Sequence, residues 1–478
     1  MKNGTLALTM ALLLSLPWIA VGDVGILWQR WFQSGFGSIF YSVAETSDGG
    51  YLAVGYRATS LGSTDCFLLK ASSDGDSIWS KTLGGIGNDC ARSIRRVNDS
   101  TFIIAGITTS YSDTDDMWLM QINDNGDVLW SRNYNFGDHD GAYDVCKTPD
   151  GGYLMVGQTN SGNAIAYDVI MAKTDSVGNL KGSLTYRSAG GYELAFGVDT
   201  TADGGYVVAA ECDSASLLRY DSQGNLQWKW HSQYVSLYDV KSLDDGSSIS
   251  VGMGYNYYYD WNEKMFIYLT LSNGYNVMSR QIGPNGDFYE TIGFGVDVTD
   301  DGEFIFAGFT GIDSYYGGSY RNGYILKTNS TSLATEWELT CVNGYGDSEL
   351  YSIIQTSDGN YIAAGEVGGN AWLVKVGEAP TGVDTNNVAL PNNYLTLTSY
   401  PNPFNATTEI KYYLPTNQNI KLDIYDLLGQ KVETLYDGTQ TAGYHSINWK
   451  AKNQPSGIYF CRLSSGSISV IKKMTLLK

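Results

Sequence analysis

Histidine is nearly missing from this chain of 478 residues, which has only His139, His231 and His445. So small a supply leaves little for a Ser-His-Asp triad, a histidine base or a histidine-held metal. Basic residues are scarce too: 30 Lys and Arg face 50 Asp and Glu, a formal net charge of −20. A nucleic-acid partner is thereby excluded, because such binding draws on clustered cations that release counterions. Cys66, Cys90, Cys146, Cys212, Cys341 and Cys461 are scattered, with no CxxC pair, so no zinc site is spelled out. Five fall in the front region and one in the tail, so they cannot all pair within their own regions; they read mostly as buried strand residues. Sustained helical periodicity is absent, as are GxSxG, HExxH and P-loop strings. No catalytic residue is therefore assigned.

What is present is glycine and tyrosine, 56 and 36 of them beside only 17% charged residues, the mixture of many short strands and tight turns. Residues 1–22 read as a signal peptide: Lys2, an apolar run from Leu6 to Leu16, and the small-x-small site Ala20-Val21-Gly22. That run is too short to span a bilayer comfortably and no later run approaches about 20 apolar residues, so no membrane anchor is expected after cleavage.

A turn motif, Asp-Gly-Gly followed by an aromatic and an apolar run ending in Gly, starts at Asp48, Asp150 and Asp203, with looser copies at Asp99, Asp245, Asp301 and Asp358. Seven copies at this spacing mark a propeller or solenoid. Before each turn stands an aromatic-x-aliphatic strand (Tyr41/Val43, Tyr143/Val145, Phe196/Val198, Tyr238/Val240, Phe294/Val296, Tyr351/Ile353), broken only at Arg92/Ile94. A third strand (Phe67 to Lys70, Trp118 to Gln121, Tyr324 to Lys327, Trp372 to Lys375) and a fourth, often with Trp (Trp79, Trp130, Trp228, Trp337), complete each unit. The last unit has no fourth strand of its own, but Ile26 to Trp31 has the matching wording at the other end. Pairing the two closes a ring and removes a free edge. The expected fold is all-β: a seven-bladed β-propeller over 23–378, closed by its N-terminal strand, a linker over 379–395 and a small C-terminal β-sandwich over 396–478.

In the tail, Tyr400-Pro401-Asn402-Pro403-Phe404-Asn405, Ile424 to Gly429, Ala442-Gly443-Tyr444-His445 with Trp449, Ser456-Gly457-Ile458-Tyr459 and the ending Lys472-Lys473-Met474 to Lys478 follow in order. Together they resemble the type A sorting domain of the type IX secretion system. The resemblance implies an immunoglobulin-like sandwich, with Pro401, Asn402, Pro403, Gly429, Gly457, Lys472, Lys473 and Lys478 as its sorting signal and the secretion machinery as its partner. It also implies export across the outer membrane of a Gram-negative bacterium, and a cargo released or fixed to the surface. The front repeats resemble a widespread class of secreted bacterial propeller repeats that has no single activity, so they add fold and no chemistry.

Two candidate sites remain. Asp89, Asp140, Glu193, Glu290 and Glu349 recur at the first strands and would form a ring at one channel mouth able to hold Ca²⁺, or else cap turns and face water. No cofactor is required. The loops between second and third strands carry Tyr255, Tyr257, Tyr258, Tyr259 and Trp261 in unit five and Tyr315, Tyr316 and Tyr320 in unit six, an aromatic patch suited to a glycan or protein ligand. The functional expectation is a monomeric exported binding module. The alternative is a polysaccharide-active hydrolase or lyase using Asp140, Asp144 or Asp239.

Overall fold

The computed structural model describes residues 24–477 apart from 33–36, 61–62, 161–166, 188–192, 213–215, 233–234, 257–259, 284–288, 313–319, 342–346, 379–395 and the tail positions 401, 403, 415–416, 428, 442, 453 and 466–467. The expected signal peptide and linker lie outside the described residues. Among the described residues, 24–378 forms seven four-stranded antiparallel sheets, in order 38–83, 89–134, 140–186, 194–230, 235–282, 289–341 and 348–378. The seventh holds only three strands from its own stretch; Val24–Phe32 is the fourth, paired antiparallel with Asn370–Glu378.

The repeated turn has a physical reason. Asp48 accepts from Thr46 Oγ1 (2.6 Å) and from the amide of Gly50 (3.1 Å), so its carboxylate finishes the turn that Gly49, at φ 76°, makes sterically cheap. The same carboxylate meets Lys70 Nζ of the third strand at 2.7 Å. Lys173–Asp150, Arg219–Asp203, Lys327–Asp301 and Lys375–Asp358 repeat the pair at 3.0, 2.6, 2.7 and 3.0 Å. The hydrogen bond from Lys70 is the main reason Asp48 is held down to about 2. The Lys or Arg near the end of the third strand in sheets one, three, four, six and seven is thus the counter-charge of the turn. In sheet two Gln121 replaces it, and Asp99 turns instead to Arg96.

Each junction between successive sheets has its own apolar core, with Leu52, Leu68 and Phe102 between one and two, and Tyr153, Met155 and Leu119 between two and three. Junctions three to four, four to five, five to six and six to seven follow suit. Another core joins seven to one, holding Ile362 and Leu373 with Phe40 and Phe67. Lys375 Nζ reaches Tyr51 OH (2.6 Å) and Ser357 reaches Glu45 (2.8 and 2.9 Å) across that last junction. Full burial of each such side chain stabilises by about 1.5–3 kcal/mol.

In the tail a three-stranded sheet (Thr396–Tyr400, Thr407–Leu414, Gly443–Lys450) and a four-stranded sheet (Gln418–Asp426, Lys431–Gln440, Gly457–Ser465, Ile468–Leu476) share one apolar core around Trp449. Trp449 touches Phe404 and Tyr459 with ring centroids 5.4 and 5.2 Å apart. All six cysteines are free thiols, and all but Cys90 are buried.

Candidate functional site: the central ring and its charged floor

In every first strand the pairing register slips by one residue at the same place, leaving Tyr41, Arg92, Tyr143, Phe196, Tyr238, Phe294 and Tyr351 as the extra residues of seven β-bulges. A bulge re-aims a side chain and increases local twist. Here it turns the seven side chains onto one another. Ring centroids run 5.3 Å from Tyr143 to Phe196, 5.1 Å to Tyr238, 5.4 Å to Phe294, 5.2 Å to Tyr351 and 5.2 Å to Tyr41. Arg92 closes the circuit, its guanidinium 4.2 Å from the Tyr41 ring centre and 5.4 Å from that of Tyr143. The residue that looked like a break in the aromatic pattern is therefore its cationic member, held by cation–π contacts on both sides.

Next to this ring lies a charged layer. Asp144 accepts from Ser93 Oγ (2.6 Å), from Arg95 Nη2 with both oxygens (3.1 and 3.0 Å) and from the Val198 amide of the next sheet (3.0 Å). Asp239 accepts from the Val296 amide (3.0 Å), Asp199 from the Ser242 amide (2.9 Å) and Asp297 from the Gln355 amide (3.0 Å), each in the following sheet. These carboxylates staple neighbouring sheets by receiving amides of the next first strand, which is an edge of its sheet and has no ladder partner on that side. Burial opposes the charge on Asp144, but Arg95 and then Lys241 hold its carboxyl below the usual range. Burial pushes Asp239 up against the pull of Lys241 and Arg95, and pushes Asp297 up as well.

The ring and the charged layer enclose a cavity of about 80 Å³. Water takes about 30 Å³ each, and ligand pockets run to about 300–1,000 Å³. The centre has room for a few waters and none for a sugar residue.

The other carboxylates named from sequence have local employment. Asp89 accepts from Thr108, Ser110 Oγ (2.6 Å) and the Gly85 amide (2.9 Å). Asp140 accepts from the amides of Phe136 (2.5 Å) and Gly137 (2.9 Å), and Glu193 is buried at 1% exposure. Glu290 and Glu349 flank Arg321 at 3.4 and 2.7 Å. They neither face water nor converge: among the described residues no three His, Cys, Asp or Glu side chains are grouped to hold a metal. Sequence spacing placed them at the first strands, but their partners come from elsewhere: the connector before the strand supplies Gly85, Phe136 and Gly137, the end of a second strand Thr108, and a third strand Arg321.

Of the aromatic loops, Tyr257, Tyr258, Tyr259, Tyr315 and Tyr316 lie outside the described residues. The backbone places Tyr255 and Trp261 beside the last paired residues of one hairpin, Asn256 and Asp260, and Tyr320 opposite Ile312 in the next sheet. In the tail, Asn402 clamps the last strand, donating to the Lys473 carbonyl (2.9 Å) and accepting from the Thr475 amide (2.8 Å). Gly429 turns at φ 74°, Gly457 pairs with Leu476, and Lys472 and Lys473 are exposed on the final strand. Pro401, Pro403 and Lys478 lie outside the described residues.

Residues 398–476 match the family described as the secretion system C-terminal sorting domain. The tail is a type IX sorting domain, and the chain is exported to the cell surface or secreted, with the secretion machinery as its partner in transit. No helix among the described residues is long and apolar enough to cross a membrane. No curated protein matches the chain in sequence. Among solved structures, PorZ, titled an essential bacterial surface component of the type-IX secretion system of Porphyromonas gingivalis, is similar at 12% identity, with 92% of this chain and 70% of that one covered and a TM-score of 0.38. A structure titled Dos1 propeller is similar at 10% identity, covering 70% and 77%, with a TM-score of 0.43. Sqt1 from Chaetomium thermophilum is similar at 10% identity, covering 72% and 97%, with a TM-score of 0.44.

Proposed function

We propose that this chain is an exported binding protein: a seven-bladed β-propeller over 23–378, closed by its N-terminal strand and carried out of the cell by an immunoglobulin-like sorting domain over 396–478. The observation that carries the reading is the sorting-domain match over residues 398–476, which assigns the chain's working place to the outside of the cell. Closure is supported by the pairing of Val24–Phe32 with Asn370–Glu378 and by the apolar core joining the seventh sheet to the first. Cleavage after residue 22 leaves that closing strand intact.

The ligand face in this reading is the aromatic pair of hairpins in sheets five and six, with Tyr255, Tyr257, Tyr258, Tyr259, Trp261, Tyr315, Tyr316 and Tyr320, and the ligand is a carbohydrate or a protein. Binding is favoured over catalysis because Asp140, Asp144 and Asp239 are committed to backbone amides, and Asp144 and Asp239 border a space of only about 80 Å³. The test is a glycan and surface-protein array probed with the propeller. A ligand is expected to bind, and the combined Tyr257→Ala, Tyr258→Ala and Trp261→Ala variant to lose at least about tenfold in affinity, since aromatic contacts contribute about 0.5–1.5 kcal/mol each. Unchanged binding in that variant removes the site assignment. Turnover of a bound glycan would favour the enzyme reading instead.

A further inference from the structure

One position on each fourth strand is occupied by an aromatic plate in most sheets. It is the residue opposite the third-strand position at which the pairing register shifts: Trp79 opposite Lys70, Trp130 opposite Gln121, Trp228 opposite Arg219, Trp337 opposite Lys327 and Trp28 opposite Lys375. These indoles lie in the joint with the following sheet. A Cβ added to the turn glycines Gly75, Gly126, Gly178 and Gly274 would come within 2.6, 2.4, 2.6 and 2.9 Å of Trp28, Trp79, Trp130 and Trp228. Beside them stands the first residue of the following second strand: Trp28 to Tyr51, Trp130 to Tyr153 and Trp337 to Tyr361 are 5.8, 6.1 and 5.7 Å between ring centroids. Two indole N–H groups donate to a turn carbonyl two residues before the glycine, Trp28 to Ser73 (3.0 Å) and Trp228 to Ser272 (2.7 Å).

Two sheets depart from this, in different ways. Sheet five carries Met278 opposite Leu269. There the next turn supplies Leu333 in place of glycine, at φ 54° and 1% exposure, packed in one core with Met278. The smaller side chain is compensated from across the joint. Sheet three carries Gly182 opposite Lys173, with no such compensation. The following turn keeps its glycine, Gly224; a Cβ added there would come within 2.8 Å of Leu184, which remains 44% exposed. What is left is a cavity of about 260 Å³ whose lining includes Leu154, Met171, Lys173, Tyr206, Tyr220 and Ser222. Tyr206 is the equivalent of Tyr51 and Tyr153, 4% exposed, with its hydroxyl beside Lys173. Ser222 is the equivalent of Ser73 and Ser272.

We propose that this cavity is a binding site for an indole ring supplied from outside the chain, seated as the chain's own tryptophans are seated in the equivalent joints. The tyrosine wall is the one that stands beside Trp28, and the turn carbonyl is the acceptor that takes the indole N–H of Trp28 and of Trp228. Size permits it: an engineered apolar cavity of about 150 Å³ binds benzene, and this one is larger. Gly182 leaves the site open, since a Cβ there would meet nothing within 4 Å. The site is separate from the aromatic hairpins of sheets five and six, so it stands or falls independently of the glycan reading.

The experiment is calorimetric titration of the full chain with indole and, separately, with N-acetyltryptophanamide, on the wild type and on Gly182→Trp, Gly182→Met and Gly182→Ala. Wild type and Gly182→Ala are expected to bind indole saturably with Kd below about 1 mM. Gly182→Trp, which restores the missing plate, is expected to bind at least tenfold more weakly. If Gly182→Trp does not fold, Gly182→Met decides, with the same direction expected. Binding of both probes points to a tryptophan side chain of a partner protein; binding of indole alone points to a free small ring. No saturable binding of either probe to wild type, or equal binding by the folded Trp or Met variant, overturns the proposal.

Discussion

Removing Val24–Phe32 is expected to cost the propeller its cooperative folding. The strand pairs with Asn370–Glu378 over eight residue positions, from Val24 opposite Glu378 to Phe32 opposite Ala371. Its loss would strip Ile26, Trp28 and Phe32 from the cores flanking sheet seven. It would also leave an apolar strand, Ala371 to Val376, as an unpaired edge, a template for aggregation. Each deletion of a large packed side chain costs about 2–5 kcal/mol, against a total stability of about 5–15 kcal/mol, so the loss of the whole strand is comparable to all the stability there is. Thermal melting and limited proteolysis of the deletion variant would read this, with cleavage expected first in sheet seven. A synthetic peptide of residues 24–32 is expected to restore protection. A deletion variant that melts like the parent would show that the N-terminal strand does not close the ring.

Asp144→Ala is expected to destabilise the propeller by about 3–5 kcal/mol, the range for breaking a buried ion pair from one side. Four hydrogen bonds end on this carboxylate, and its side chain is 6% exposed. Without it Arg95 loses its ion-pair partner and the Val198 amide loses its acceptor across a sheet junction. Asp144→Asn, which keeps an acceptor and removes the charge, is expected to fall between. Denaturant unfolding would measure both. A change below about 0.5 kcal/mol for Asp144→Ala, the size of an ordinary surface substitution, would mean that the charged layer does not staple the sheets. Binding at the hairpins of sheets five and six is expected to survive in whatever fraction remains folded, which separates this role from catalysis.

Much of this organisation was legible in the residues because the repeat states each strand several times. The Asp-Gly turn, the third strand ending in Lys and the Trp-bearing fourth strand all reflect contacts that recur from unit to unit, Asp48 with Lys70 within a sheet and Trp28 with the turn at Gly75 across a junction. Period-two alternation found the first strands but not the bulge at Tyr41 and its equivalents, because a bulge changes pairing without changing which residues are aromatic. Hence Arg92 read as a break, though it is the seventh member of the ring. The carboxylates at Asp89 and Asp140 were found by position and misjudged by company, since Gly85, Phe136 and Gly137 come from connectors whose path no periodicity records. The vacancy at Gly182 did leave a mark. The fourth-strand tryptophans skip sheet three, and only the register showed that glycine stands in their place and that nothing from the next turn fills it.

The tail was legible for a different reason: its motifs describe one small domain whose end is tied to its beginning, as Asn402 is tied to Lys473 and Thr475. The most direct test of the account as a whole is the location of the protein in cells of a type IX-secreting host that express either residues 1–478 or residues 1–395. The full chain is expected at the cell surface or in the medium, and the shortened chain, still folded as a propeller, in the periplasm. Equal amounts of the two outside the cell would contradict the account.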